Sequence, residues 1–595
     1  LIALAAQNIV MADGGTIGYA YTATGDVASV TDQAGNVTSF VYDAAGNITG
    51  TVNALGHTTT IAYDTAGRPV SVTDPSGATT TSTYDAGDRL VSTTDANGAT
   101  TVFGYDTLDR LVSVTDATGA TTSYEWDDLF RLTSVTNALG AVTTYEYDSE
   151  DDLVSVTDAA GNVTELTRDE VGRVTEVTDP LGQVWASVYD ASGLVTETRD
   201  PLGATTTFGY DEAGRLTSVT DASGATTTTT YDEVGRTSTV TDALGNRIGY
   251  AYTPTDLVAA VVDAESFTVR NTYDAVGNRT GLIDRRGNTW ATAFDALGRV
   301  VSETDPKGAV TTYAYDDAAR TVTTTTALGA ATTALFDAVG NLTTVTNPLG
   351  AVSTFEYDPL GRVTATIDAL GAETAYAYDP LGQLTSSTNP LGAIDTFTYD
   401  DLGRVTTATD PLGVVTGYAY DAAGQLTRVV ENQVPSPAVQ TGPDINVTTS
   451  YAYTATGQLA SMTNPLGALT RWEYDNRGLP VTEVSPTGGV ARTTYDALGR
   501  PTAATDATGA TTRTAYTPRG DIASIAYPDG VSVGFRYDAD QQPIVMTDAL
   551  GATGWTWDAA ANLTSQSDAS GVRISYGVDA VGQVVSTTTP LGTVT

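Results

Sequence analysis

Tyr210-Asp211-Glu212-Ala213-Gly214-Arg215-Leu216-Thr217-Ser218-Val219-Thr220-Asp221-Ala222-Ser223-Gly224-Ala225 is the stretch whose reading decides the fold. It holds two D-x-x-G turns, Asp211–Gly214 and Asp221–Gly224, with a short run of Leu, Thr, Ser and Val between them. Asp at the first position of such a turn hydrogen-bonds the backbone two residues on. Gly at the fourth suits a type I turn that leads into a left-handed residue, the usual three-residue hairpin connection. Where Pro stands second, as in Asp200-Pro201-Leu202-Gly203 and Asp410-Pro411-Leu412-Gly413, it sets φ for the same turn. Thr206, Phe208 and Tyr210 alternate with period 2, a strand signal, and no stretch sustains a helical period.

Working outward, the anchor aromatic recurs every 21 residues from Tyr21 to Tyr420. Trp126, Phe294 and Phe336 stand in for Tyr on that grid, and Arg168 is its one non-aromatic position. The phase resumes at Tyr453, Tyr474, Tyr495, Tyr516 and Tyr537, then at Trp557 and Val578, making 27 anchors of which 21 are Tyr. The departures keep the same chemistry. Asp88, Asp109, Asp151 and Asp256 replace the turn Gly after an anchor, and Asp tolerates the left-handed region better than most residues. Thr22, Thr253, Thr454 and Thr517 replace the turn Asp, as weaker acceptors for the same bond.

Two chain reversals per unit predict two antiparallel strands per unit, about 54 strands in series. At about 4.8 Å per strand such a sheet runs roughly 260 Å and has to coil. Two windings make a tube on the order of 40 Å wide, and one winding roughly 80 Å. A parallel β-helix is the rival, but it wants apolar residues stacked at every coil corner, and paired reversing turns favour hairpins.

The motif Y-D-x-x-G-R-L-T-S-V-T-D-x-x-G resembles the YD repeats of the Rhs superfamily, which takes in bacterial Rhs toxins, wall-associated proteins, toxin-complex shell components and animal teneurins. The likeness runs from about Tyr19 to Thr595. It implies an all-β fold, a long antiparallel strand spiral of about 27 repeats forming a hollow shell or tube. In bacterial members the shell encloses a C-terminal toxin. No autoproteolytic segment is found before Pro590-Leu591-Gly592-Thr593-Val594-Thr595, so neither a plug, a toxin nor cleavage residues carry over.

Composition excludes several functions. The 595 residues carry 71 acidic and 28 basic side chains, a net charge of −43, which removes the electrostatic drive for nucleic acid or anionic membranes. There is no Cys and a single His, so thiolate sites, His-rich metal sites and His-pair catalysis are excluded. No apolar run is long enough for a spanning helix. The apolar opening Leu1–Val10 has neither an initiator methionine nor a basic region, and the chain reads as an excerpt of a longer protein.

Single residues read as structural. His57 is expected as an exposed strand-start residue and Lys307 as a solvated turn residue, since no G-x-S-x-G elbow or phosphate loop accompanies them. Turn Asp residues are read as caps; rows of them at the sheet borders leave weak divalent-cation binding as an alternative. Tyr42, Asp43, Tyr63, Asp64, Tyr105, Asp106, Tyr210, Asp211, Gly214, Tyr378, Asp379, Tyr399 and Asp400 are expected as repeat anchors that pack successive units, with a sugar- or base-stacking ladder as the alternative for the tyrosines. The sequons at Asn36, Asn47, Asn162, Asn278, Asn341, Asn446 and Asn562 follow strand-start chemistry.

The expected organisation is a partial segment 1–18, repeats over 19–428, a Pro-containing insertion loop 429–450 that interrupts the ladder, and repeats over 451–595. Within the insertion, Glu431–Thr449 holds Pro435, Pro437 and Pro443 and reads as a surface loop, with a loop touching lumen or partner as alternative. The functional expectation is a secreted or envelope-associated, non-enzymatic shell around its own C-terminal effector, with no catalytic, cofactor or metal residues. A secretion apparatus and a cell-surface glycan are further candidate partners. The alternative is an extracellular adhesive repeat protein, and a glycan-processing enzyme is the weakest reading.

Overall fold

A computed structural model describes residues 8–11, 14–434 and 444–595. All regular structure among them is β, in one sheet of 56 strands. Each strand pairs antiparallel with its sequence neighbours, so the whole sheet is a run of hairpins. Six-residue strands ending on the anchor, such as Thr205–Tyr210, alternate with five-residue strands such as Leu216–Thr220. β-branched and aromatic residues hold these pleated positions, while every connection carries the turn residues.

Two kinds of turn therefore line the two borders of the sheet. The anchor turn follows the six-residue strand (Asp211–Gly214), and the return turn follows the five-residue strand (Asp221–Gly224). Both close in the same way. The Asp211 N–H donates to the Arg215 carbonyl at 3.0 Å and the Gly214 N–H to the Asp211 carbonyl at 2.9 Å, with Gly214 at φ 76°. The Asp substitutes foreseen for the turn Gly do adopt the left-handed conformation, at φ 64° (Asp88, Asp109), 70° (Asp151) and 65° (Asp256). Phe130, Ser266, Arg320, Gln541 and Ala561 do so too, without help from composition.

Only the anchor border carries a bulge. Gly209 pairs with Ser218 and Tyr210 with Leu216, leaving Thr217 as an extra residue, whereas Ser218–Thr220 pairs with Thr226–Thr228 in unbroken register. The Thr217 hydroxyl donates to the Gly209 carbonyl at 3.1 Å. One added residue in nearly every anchor-border pair, always at that border, bends and twists the sheet in a constant sense. That repeated bias is the physical reason the ladder coils.

The coil has no packed core. Among the described residues the buried ones are small or medium-sized, including Ser134, Ser155, Thr239, Ala365 and Ser565, and no large side chain is fully buried. The accessible surface of 32429 Å² far exceeds the roughly 20,000 Å² of a compact chain of this length. The sheet is a single layer with both faces largely uncovered.

Hydrogen bonds between turns 240 to 273 residues apart show how the layer closes. One winding thus takes about 12 repeats, or about 24 strands, and the described chain makes a little over two windings. At about 4.8 Å per strand the ring measures roughly 115 Å around and on the order of 40 Å across. Of the two diameters the sequence allows, the narrower applies.

The insertion does not interrupt the ladder, contrary to expectation. Leu426–Glu431 pairs directly with Val447–Tyr453, with Val430 opposite Thr448 and Glu431 opposite Val447. A hairpin register only needs the two legs to meet, so added length between them leaves the pairing intact. Pro435, Pro437 and Pro443, like residues 1–7 of the expected first segment, lie outside the described residues.

Candidate functional site

The chemistry-bearing side chains fall into two structures: a ladder along the anchor border and a seam between windings. The ladder is built from the Y-D-x-x-G-R motif. Asp211 Oδ1 accepts the N–H groups of Ala213 and Arg215, both at 3.0 Å, and Oδ2 receives Arg215 Nε at 2.7 Å. The guanidinium of Arg215 then lies 4.7 Å from the centre of the Tyr231 ring, the anchor of the next repeat. Tyr231 closes the circuit by donating its hydroxyl to the Leu216 carbonyl at 2.6 Å. A carboxylate, a cation and an aromatic face thus bind each repeat to the next, and each wants its neighbour in that position.

The other anchors follow suit. Hydroxyls of Tyr42, Tyr63, Tyr105 and Tyr210 donate to the carbonyls of Val27, Ile48, Leu90 and Val195 at 2.8, 2.9, 3.0 and 2.8 Å. Tyr378 and Tyr399 reach Val363 and Leu384 at 2.9 and 2.7 Å. Asp64, Asp106 and Asp400 each hold an Arg at 2.7 Å, Asp43 holds the Asn47 amide at 3.0 Å, and Asp379 caps the N–H of Gln383 at 2.9 Å. At Arg168, the non-aromatic anchor, the guanidinium donates to the same carbonyl a Tyr would use, that of Leu153.

These bonds set the ionisation of the turn acids. The Arg68 N–H, followed by its guanidinium, holds the Asp64 carboxyl below the ordinary carboxylate value. The Asn47 amide, then its N–H, does the same for Asp43. Burial pushes the anchor phenols of Tyr399, Tyr453 and Tyr474 upward.

At the seam, return turns of one winding meet anchor turns of the next, always in that sense. Asn97 Nδ2 donates to Asp337 Oδ2 at 2.8 Å, and Asn476 bonds the Ala222 carbonyl. Arg286 Nε reaches Asp540 at 2.6 Å and its Nη1 donates to the Asp558 carbonyl at 3.0 Å. Arg519 is the most enclosed cation here. It pairs with Glu265 at 2.9 Å, lies 3.6 Å from Asp263, stacks 4.9 Å from the Phe267 ring and donates to the carbonyls of Asp538 and Ala539.

Two residues read from the sequence as structural have partners in the next winding. His57, with a side chain 37% exposed, has its Nδ1 2.9 Å from Asp317, which also pairs with Arg299 at 2.6 Å. Lys307 is an exposed turn residue, and its ammonium pairs with Asp558 at 3.0 Å. Both sit on return turns of an earlier winding, and their partners lie about 250 positions onward. No local signal marks such a pair, because the separation depends on how many repeats close a ring.

The Asn97–Asp337 bond borders an opening in the seam. A cleft of about 750 Å³ opens between Asp95–Thr101 on one side and Asp337–Gly361 on the other. Its turn acids Asp95, Asp337 and Asp358 are occupied by backbone N–H groups of their own turns. Among the described residues no group of three or more His, Asp or Glu side chains is placed to hold a metal ion, and no helix is long and apolar enough to cross a membrane.

Fifteen segments, from 13–58 through 189–230 and 399–433 to 537–573, match the model of the RHS Repeat family and together span most of the chain. The chain belongs to the RHS repeat family. No curated protein sequence matches it. Among solved structures, this RHS repeat chain superposes on TcdB2-TccC3 with a TM-score of 0.53 at 14% identity, covering 96% of its own length and 40% of that chain. The same pair without its hypervariable C-terminal region matches at 0.53 and 13%, covering 96% of the RHS repeat chain and 44% of the other. The chain therefore spans about two fifths of the solved chains it matches, and at this identity the likeness is one of fold.

Proposed function

We propose that this RHS repeat chain is a non-enzymatic wall that encloses a polypeptide effector encoded C-terminal to the repeats. The observation that carries the reading is the single-layer sheet without a core, closed on itself every 12 or so repeats by a side-chain seam. A layer that buries no large side chain gains nothing from collapse, and its stability comes from ladder hydrogen bonds and nearest-neighbour repeat contacts. Such a layer bounds space.

Support for the effector comes from fold relatives. One solved TcdB2-TccC3 structure is described as being without its hypervariable C-terminal region, so that protein carries a variable segment at its C-terminal end. A secreted or extracellular setting accords with this reading and with the strong negative charge, which keeps an exposed wall soluble.

The test is protease protection of the protein produced together with its downstream coding sequence. The downstream segment is expected to resist digestion while the wall is intact and to be cut once the seam is broken by substitution. Digestion of that segment at the rate of the same segment expressed alone would refute enclosure, and a cryo-EM map with a filled or thin fibrous centre would do the same.

A further inference from the structure

The arginines of the ladder and the seam are committed to carboxylates. Arg428, Arg471, Arg492, Arg513 and Arg536 are not. They stand on the ten consecutive strands from Leu426–Glu431 to Ser532–Tyr537, and all five are exposed. Among the described residues none of them has an ion pair, a hydrogen bond or a ring contact. All five share one face of the sheet. Arg471, Arg492 and Arg513 each stand three residues before their anchor, Arg428 pairs directly with Ser450 at that same position, and Arg536 lies two residues along from it.

The surroundings leave this charge uncancelled. On the same face these strands carry one acid, Glu473, and their other positions are neutral, among them Ser461, Thr482, Ala503 and Ser524. Three of the four return turns beside the row begin on Asn464, Ser485 and Tyr527, where Asp is the usual residue. In a chain of net charge −43 the row is a local exception. At 0.1 M salt the Debye length is about 10 Å, so groups in the row, rather than distant acids, set the potential there.

We infer that this arginine row docks an acidic, extended segment of a partner protein. Charge complementarity carries the assignment, since guanidinium forks take carboxylates bidentately. Spacing fits as well. Arg471 pairs with Val484 and Val484 with Val490, two residues short of Arg492, so neighbouring arginines are two strands and two residues apart, roughly 12 Å. An extended polypeptide covers about 13 Å in four residues and presents the same face again. A polyphosphate, with charge at every unit, meets more of the repulsion from the acidic chain. The row is independent of whether the wall encloses an effector.

The test is fluorescence anisotropy of a labelled 16-residue Ser/Thr peptide with Glu at every fourth position, titrated with the 595-residue chain to about 200 µM in 0.1 M NaCl. Saturable binding is expected, and its loss in 1 M NaCl, where the Debye length is about 3 Å. Arg471→Thr/Arg492→Thr/Arg513→Thr should weaken it about tenfold, as three exposed charge pairs are removed. Thr207 and Thr228 occupy the equivalent positions natively, and unchanged circular dichroism verifies that the variant folds. Arg247→Thr/Arg573→Thr removes two exposed arginines outside the row and should leave binding within twofold. No binding at 200 µM, or equal loss in both variants, overturns the inference. So does equal affinity for a peptide with its four Glu in one block, or binding of a DNA pentanucleotide in place of the peptide.

Discussion

Replacing Arg519 by Met isolates the strength of the winding seam. The side chain is 5% exposed, and its guanidinium serves Glu265, Asp263 and the carbonyls of Asp538 and Ala539. Met keeps an apolar stem near Phe267 and removes only the cation. Breaking one side of a buried ion pair costs about 3–5 kcal/mol. Asp263 retains Arg285 at 2.9 Å and Glu265 is 28% exposed to water, so the lower end, about 3 kcal/mol, applies. At 1.36 kcal/mol per factor of ten, local opening becomes about 150-fold more frequent. Amide hydrogen exchange reads this directly. The N–H groups of Ser266 and Phe267, bonded to Asp263, and those of Gly520 and Asp521, bonded to Thr517, should all accelerate to that extent. The return turn Asn389–Gly392, where Leu391 is 93% exposed, should not change. Acceleration confined to residues 516–521, or less than about threefold at 263–267, would refute the seam.

Three further outcomes follow from the turns and the ladder. Asp400→Ala removes the acceptor for the Leu402 and Arg404 N–H groups and the partner of Arg404, costing about 2 kcal/mol locally; exchange over 400–404 should rise about 30-fold, and Asp400→Asn should recover part of it. Ala561→Gly relieves a left-handed alanine at φ 67° and should stabilise its hairpin by about 1 kcal/mol, raising the denaturant midpoint of that segment, whereas Gly214→Ala does the opposite. Carboxyls such as Asp64 and Asp85 lie below 3.8 in the folded chain, so their contribution is complete above that value and is lost as pH falls through the depressed range. Phenols such as Tyr399 and Tyr474 lie above 10.0, so theirs is complete below 10 and lost as pH rises through the raised range; thermal melts should show a plateau between, and a steady decline from pH 8 to pH 5 would contradict the assignment.

Legibility differed from one contact to another. The turn Asp, the turn Gly and its Asp substitutes were readable because each bond spans two to four residues, and a 21-residue grid repeats the message. The Arg215–Tyr231 stack was hidden, although its signal was present: Arg follows the turn Gly in many repeats and the next anchor stands 16 residues on. His57 and Lys307 carried no signal at all, since nothing near them in the chain differs when a ring closes above.

Local chemistry thus sufficed for strands, reversals and their antiparallel order, because hairpin geometry depends only on neighbouring residues. The circumference is different in kind. It accumulates from a small bend at each bulged pair, and only when about 24 strands are assembled does the return border meet the anchor border. That closure decides which cations are buried, so the partners of Arg519, His57 and Lys307 belong to the tertiary structure alone.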